Sequence, residues 1–313
     1  MLNRRALLKA SGAAALTSFI PSSFIKATAY AAKLPFRFCL NTSTISGQKP
    51  GLLKYIDIAS TAGYDGVELW INDIHDYLAT GKSIQSLADF IRSKNIVVED
   101  IISFTTWMAN DEAARKKGIA DLEEQMKIAS VLGSKYIAAP SMGVEKSEPI
   151  NIQQTAAYYR TILQLGRKYS VMPLLEFWGA SGTLYNFSQA ISIAAAADDT
   201  EARILPDVYH MFRGGSGFNC LKLVNGNVIP VIHMNDYTAD KPVNEQTDSD
   251  RVYPGDGAAP LKQILYDLKT MGGTKVLSLE LFNETYWKED ALSVAITGLK
   301  KMQRLVDEVL AAK

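Results

Sequence analysis

The chain has 313 residues, 47% of them hydrophobic and 21% charged, proportions that suit a globular protein with a substantial core and exclude a disordered one. Its 33 basic and 33 acidic side chains cancel, so no general field draws nucleic acid or anionic lipid over the surface. The two cysteines, Cys39 and Cys220, have no CxxC spacing and are expected as free thiols.

The N-terminal segment differs in character from the rest of the chain. Arg4 and Arg5 precede an apolar, alanine-rich stretch from Ala13 to Ile20, and Ala29, Tyr30 and Ala31 offer small residues for cleavage before Ala32. This pattern resembles a twin-arginine export signal. Residues 1–31 are therefore expected to be removed, leaving 32–313 as one domain in the periplasm or another extracytoplasmic space. Asn3 and Leu7 depart from the commonest form of such a signal, which keeps the general secretory route open. No later stretch approaches the 18 or so consecutive apolar residues of a membrane span, so no membrane association is expected after removal.

From Phe36 onward, short β-rich runs alternate with longer segments of helical period. The strands are expected at Phe36–Leu40, Gly66–Leu69, Ile96–Ser103, Tyr136–Ala139, Met172–Glu176, Ile204–Asp207, Val228–His233 and Val276–Glu280. The helices are expected at Leu52–Ala62, Ser83–Lys94, Asp111–Leu132, Ile152–Tyr169, Asn186–Ala197, Pro260–Met271 and Ala291–Val309. The Asp111 segment shows the reasoning: Asp111 can cap the N-terminus, Ile119, Leu122, Met126, Ala129 and Leu132 recur at three- and four-residue steps, and Gly133 ends the run. Eight strand–helix pairs in a chain of this size predict an α/β fold, a (β/α)8 TIM barrel. The alternative, an open doubly wound sheet, lacks a GxGxxG turn after an early strand.

A barrel places its chemistry at the C-terminal ends of its strands. There the last four expected strands carry Glu176, Asp207, His233 and Glu280, each directly after apolar residues. A lone ionised carboxylate in such a place costs several kcal/mol unless it is paired or metal-bound, and one divalent ion neutralises most of the charge. One such glutamate is more often a solvated strand end or half of an ion pair; four in successive strand-end positions point to a metal centre. Three carboxylates and an imidazole are a mostly hard donor set, which favours Mn²⁺ or Mg²⁺ and is compatible with Co²⁺ or Zn²⁺. All four tryptophans, Trp70, Trp107, Trp178 and Trp287, fall just beyond strand ends, where indole faces can pack on the C–H face of a sugar ring or simply cap the core.

The segments Gly63–Leu69 (GYDGVEL), Leu174–Phe177 (LLEF), Asp207–His210 (DVYH), His233–Asp236 (HMND), Pro254–Gly257 (PGDG) and Leu279–Phe282 (LELF) together resemble the xylose isomerase-like barrel superfamily, in its sugar phosphate isomerase/epimerase branch. That branch includes D-tagatose 3-epimerase and the inositol-catabolic enzymes. The resemblance implies the same metal ligands, Glu176, Asp207, His233 and Glu280. It also implies an isomerase or epimerase acting on a sugar or keto-polyol by proton transfer through an enediolate held on the metal, with Glu176 and Glu280 as the proton carriers. His210 and Arg251 match family positions that contact substrate, Glu68 matches one that either contacts substrate or braces the barrel mouth, and Trp70, Trp107 and Trp178 join them as candidate contacts. The implied partner is a small carbohydrate or polyol-derived ketone, and the resemblance implies a homodimer.

Asp236, three residues after His233, is read as a residue that orients that imidazole or the neighbouring loops, and His75 as structural. Two other functions stay open on the sequence. One is a metal-dependent dehydratase or lyase on a keto-sugar or keto-glycoside, which would use the same base and metal; the other is a non-catalytic exported sugar-binding protein. A three-metal phosphodiesterase on the same barrel needs many histidines, and the chain has three.

Overall fold

A computed structural model describes residues 35–144 and 149–312. The expected export signal, and the boundary placed at residue 32, lie outside the described residues. Among the described residues there are eight strands: β1 (Phe36–Asn41), β2 (Gly66–Trp70), β3 (Val97–Ile102), β4 (Tyr136–Ala139), β5 (Met172–Glu176), β6 (Arg203–Leu205), β7 (Val231–Met234) and β8 (Lys275–Leu279). Their ladders are all parallel, in the orders β3-β2-β1-β8-β7 and β4-β5-β6. The two arcs meet where the Ile204 N–H donates to Val228 O and the His233 N–H to Pro206 O, with a parallel bridge between Asp207 and His233. On the other side β3 packs beside β4, which closes the barrel.

The helices are α1 (Leu52–Ala62), α2 (Ile71–Ala79), α3 (Ile84–Ser93), α4 (Glu112–Leu132), α5 (Ile152–Tyr169), α6 (Phe187–Ala196), α7 (Val208–Arg213), α8 (Leu261–Thr270) and α9 (Ala291–Ala311). Their ends obey local chemistry. Asp111, Asn151, Asn186 and Asp290 each accept a backbone N–H from the first turn of the adjoining helix, satisfying donors that the helix itself cannot. Gly63 and Gly133 close α1 and α4 with φ of 95° and 79°, a conformation that costs any residue with a Cβ. Among the described residues, no helix is long and apolar enough to cross a membrane.

Inside the barrel, seven of the strands give one residue to a buried apolar layer: Cys39, Ile102, Ala138, Leu174, Leu205, Val231 and Val276. A second, larger apolar cluster lies between strands and helices. Cys39 is buried, Cys220 is partly exposed, and both are free thiols.

Three departures from expectation have physical causes. Helix α2 falls in a stretch read as loop, because its polar Asn72, Asp73, His75 and Asp76 hide the buried trio Ile71, Ile74 and Tyr77 at three-residue steps. Strand β7 begins at Val231, three residues later than expected, because Pro230 has no N–H to give to a ladder. Pro206 likewise ends β6 early, so Asp207 is the N-cap of the short helix α7 rather than the last strand residue.

Candidate metal centre

Asp207, His233 and Glu280 each present one donor atom, and these atoms lie within 4.8 Å of one another in a fully buried cluster. The chain builds it from three neighbouring elements. Asp207 is held by its capping role, accepting the His210 backbone N–H at 2.8 Å through Oδ1. Its Oδ2 accepts from Asn235 Nδ2 at 2.9 Å and from Arg251 Nη1 at 3.0 Å. His233 lies in β7; its Nδ1 stands 3.1 Å from Glu280 Oε2 and makes no well-directed hydrogen bond. Glu280 comes directly after β8, and its Oε2 accepts from Arg251 Nη1 at 2.7 Å.

The residues fit a divalent cation: two buried carboxylates and a buried imidazole nitrogen without a directed partner converge on one point. Their electrostatics are those of a strongly coupled cluster. Burial alone would raise the Glu280 carboxyl, but the nearby His233 imidazole and the Arg251 guanidinium hold it below the usual range. Burial opposes a charge on His233, and Glu280 and Glu68 override it, keeping the imidazole well above its ordinary value.

Glu176, also expected as a ligand, stands outside this mutually close triad. It ends β5 and lines the same cavity. Burial pushes its carboxyl up to about 8, with the charges of Glu280 and Asp207 adding to the effect and His233 opposing it. A cation seated on the triad favours its ionised form.

Beneath the triad lies a polar layer that sequence reasoning largely missed. Glu68 is fully buried; its Oε1 lies 3.1 Å from His233 Nε2, and its Oε2 accepts from Asn41 Nδ2 at 2.6 Å and Ser278 Oγ at 2.7 Å. Asp100 pairs with it in register across β2 and β3, and its carboxyl is raised well above the usual range by burial and by the charge of Glu68. Glu68 was expected either to touch substrate or to brace the barrel mouth; it has no exposed surface and stands against the far side of the His233 ring. The only sequence signal for this layer was that Asn41, Glu68, Asp100 and Ser278 are polar residues inside strands otherwise apolar.

Arg251 is 1% exposed, far from an ordinary loop arginine. Nη1 joins Asp207 to Glu280, while Nη2 donates to His210 Nε2 at 3.1 Å and to Asp248 Oδ1 at 2.6 Å. Because an arginine can only donate, His210 Nε2 is an acceptor, and a neutral ring carries its proton on Nδ1, which is buried without a partner. Burial lowers the pKa of His210, and the Arg251 charge adds to that, consistent with a neutral imidazole. Asn235 ties the site together from the motif that also holds His233: Oδ1 accepts from the Tyr209 N–H, and Nδ2 donates to Asp207 and to the Glu280 carbonyl.

A cavity of about 600 Å³ opens onto this cluster, lined by Glu176, His210, Arg251, Glu280 and the unexpected Asp248. Trp70 and Trp178 are on its wall. Trp107, expected beside them, is not: it is fully buried, packs against Tyr159 and donates its indole N–H to Pro140 O at 2.7 Å, so it caps the core. Trp287 covers Gly47 and donates to Ser43 O, also off the cavity. Asp236 does not touch His233; its carboxylate accepts four backbone N–H groups, from Tyr237, Gly255, Gly257 and Ala259. His75 is exposed on α2.

Residues 56–304 match the family model described as Xylose isomerase-like TIM barrel. An inosose isomerase of Halalkalibacterium halodurans is 30% identical over 83% of this chain and 93% of its own length. An inosose isomerase of Bacillus velezensis is 29% identical over 87% of this chain and 98% of its own. A crystal structure of an IolI protein with a bound zinc atom superposes with a TM-score of 0.79 at 26% identity, covering 88% of this chain and 99% of that one. With this match across most of its length and the barrel it folds into, the chain belongs to the xylose isomerase-like TIM barrel family.

Proposed function

We propose that this protein is a divalent-metal-dependent isomerase that moves a proton between carbons flanking the carbonyl of a cyclic keto-polyol. The observation that carries this reading is that Glu176 and Glu280, from opposite ends of the β5–β8 arc, line one cavity beside the Asp207–His233–Glu280 triad. The chain is an isomerase, like the inosose isomerases that match more than four fifths of it, and an inosose-like ketone is the substrate class they support.

Asp207, His233 and Glu280, with Glu176 beside them, would hold the ion, and the zinc bound by the IolI protein supports a divalent metal as the cofactor. When bound, the ion supplies Lewis-acid stabilisation of negative charge on a carbonyl oxygen. The protein's own groups do the rest. One of the two glutamates takes the proton from the carbon beside the carbonyl, and the other returns it to the neighbouring carbon or to the opposite face. His210, neutral and held through its Nε2 by Arg251, forms part of the cavity wall beside the glutamates. Arg251 holds His210, Asp207 and Glu280 in one register, so the acceptors and donors are set before substrate arrives. The paired Arg4 and Arg5 and the alanine-rich stretch after them support action outside the cytoplasm.

The test is turnover of an inosose in deuterated water by protein loaded in turn with Mn²⁺, Mg²⁺, Co²⁺ and Zn²⁺. Deuterium should enter a carbon beside the carbonyl, and Glu176→Gln or Glu280→Gln should each reduce the rate by at least about a hundredfold. Turnover with no exchange, or product lighter by one water, would overturn the reading.

A further inference from the structure

Asn41 is the last residue of β1, and the register of that strand sets it between two carboxylates. It pairs with Glu68 in β2, and Leu40 beside it pairs with Leu279 in β8, one residue before Glu280. The Asn41 side chain is wholly buried. Its Nδ2 donates to Glu68 Oε2 at 2.6 Å and to Glu280 Oε1 at 3.0 Å, while its Oδ1 accepts the Ser43 backbone N–H at 3.0 Å and the Trp70 Nε1–H at 2.8 Å. These partners fix which way the amide faces: turned over, it would set its NH₂ group against two N–H donors and its oxygen against two carboxylates.

Glu280 is thereby held at both oxygens, Oε1 by Asn41 and Oε2 by Arg251, and Oε2 is the one that stands 3.1 Å from His233 Nδ1 on the side of the triad. The terminal torsion of a glutamate is broad, so a carboxylate tied at one oxygen alone is loosely oriented, whereas this one cannot turn without giving up a hydrogen bond. At the other end of the amide, Trp70 follows Glu68 by two residues on the same face of β2 and lines the cavity. Its ring also meets Phe282, two residues after Glu280, edge-on at 6.0 Å between centroids. A chain of N–H···O bonds thus runs from an indole on the cavity wall, through one buried amide, to a carboxylate of the triad.

We propose that Asn41 and Trp70 are positioning residues for Glu280: the Trp70 indole N–H locks the Asn41 amide, and the amide keeps Glu280 Oε2 turned to the metal triad. This inference rests on the metal-centre half of the reading above and holds whichever reaction the centre performs.

The experiment follows the indole N–H signals of protein carrying ¹⁵N-labelled tryptophan, by nuclear magnetic resonance, as Zn²⁺ is titrated in; the Trp70 signal is assigned by its loss in Trp70→Phe. Hydrogen bonds in a chain polarise one another, so a cation that draws charge from Glu280 weakens the pull of Asn41 on the indole. The Trp70 signal should move upfield as the ion binds, while that of Trp107, bonded to Pro140 O away from the cavity, stays in place. Asn41→Ser keeps an oxygen that can cap the Ser43 N–H but is too short to reach the carboxylates. It should weaken Zn²⁺ binding about tenfold or more by calorimetry, and the Trp70 signal should no longer follow the ion. Trp70→Phe keeps a ring on the wall and removes the N–H, and should weaken Zn²⁺ binding severalfold. An unshifted Trp107 signal shows that each variant is folded, and if Asn41→Ser is not, Trp70→Phe and the natural protein still decide the matter. A Trp70 signal that ignores the ion in the natural protein, or undiminished affinity in the folded variants, overturns the inference. The two readings fail separately. A responsive Trp70 signal and weakened variants without deuterium exchange in an inosose sink the isomerase chemistry alone, whereas exchange with an unresponsive Trp70 signal sinks the positioning role alone.

Discussion

Glu68 Oε1 lies 3.1 Å from His233 Nε2, with both side chains wholly buried, so the face of the imidazole turned away from the triad is gripped by a carboxylate. Such a partner fixes the tautomer and the ring angle and makes Nδ1 a better donor to a cation. Glu68→Gln keeps the shape but loses the charge. It should weaken metal binding by about 10–100-fold, read by titrating Co²⁺ into the protein and tracking its absorption. Unchanged affinity would mean that Glu68 only fills space beneath the site.

Arg251 couples the two buried carboxylates of the triad, and removing one partner of such a cluster leaves charges without compensation. Arg251→Met should therefore lower stability by about 3–5 kcal/mol in chelator, measured by urea unfolding. Saturating divalent metal should recover much of the loss, because the ion then neutralises Asp207 and Glu280. A loss that is the same with and without metal would show that the arginine acts through packing against Tyr209 and Phe282 instead.

Asp236 has the firmest grip on the loop that delivers Arg251. It pairs with Val252 through two backbone hydrogen bonds of 3.0 Å and gathers the N–H groups of Gly255, Gly257 and Ala259 on its carboxylate. Gly257 approaches so closely that a Cβ there would lie 2.4 Å from Asp236 Oδ1. Asp236→Ala strands those donors, and a cost of about 2–4 kcal/mol is expected, with KM rising more than kcat falls as Arg251 and His210 lose their setting. An unaltered KM in a folded variant would separate the loop from substrate binding.

The barrel was legible because its strands are short, apolar and bounded by turn residues, and because Asp111, Asn151, Asn186 and Asp290 announce helix starts locally. Three of the ligand candidates could be found for a related reason: a charged residue directly after an apolar strand is conspicuous when barrel geometry says that strand ends converge. What could not be read is anything decided by which strands become neighbours. Glu68 looked like one more strand-end carboxylate, and only the closure of β2 against β3 and the opposite β7 and β8 places it under His233. Trp107 was indistinguishable in sequence from Trp70, since both come within a few residues of a strand end. The turn after β3 sends Trp107 into the core, where Pro140 O takes its N–H.

Lys275 offers a test of the fold away from the site. Its side chain is fully buried at the start of β8, and Nζ donates to Gly226 O at 2.5 Å and Gly272 O at 2.7 Å. Burial lowers its pKa to about 8, against roughly 10.4 in an unfolded chain, although the two carbonyls favour the ammonium and temper the shift. The folded value is the lower one, so between about pH 8 and 10.4 the unfolded chain binds more protons than the folded protein, and the contribution of Lys275 to stability increases as pH rises. The full swing is at most about 3 kcal/mol. Lys275→Met has no proton to exchange, so the stability of the natural protein relative to this variant should climb with pH between 8 and 10 in urea unfolding. Subtracting the variant removes the background of tyrosine and other lysine titrations. A difference that stays level across that range would mean that Gly226 O and Gly272 O hold the ammonium as well as water does, and that burial at this position carries no electrostatic cost.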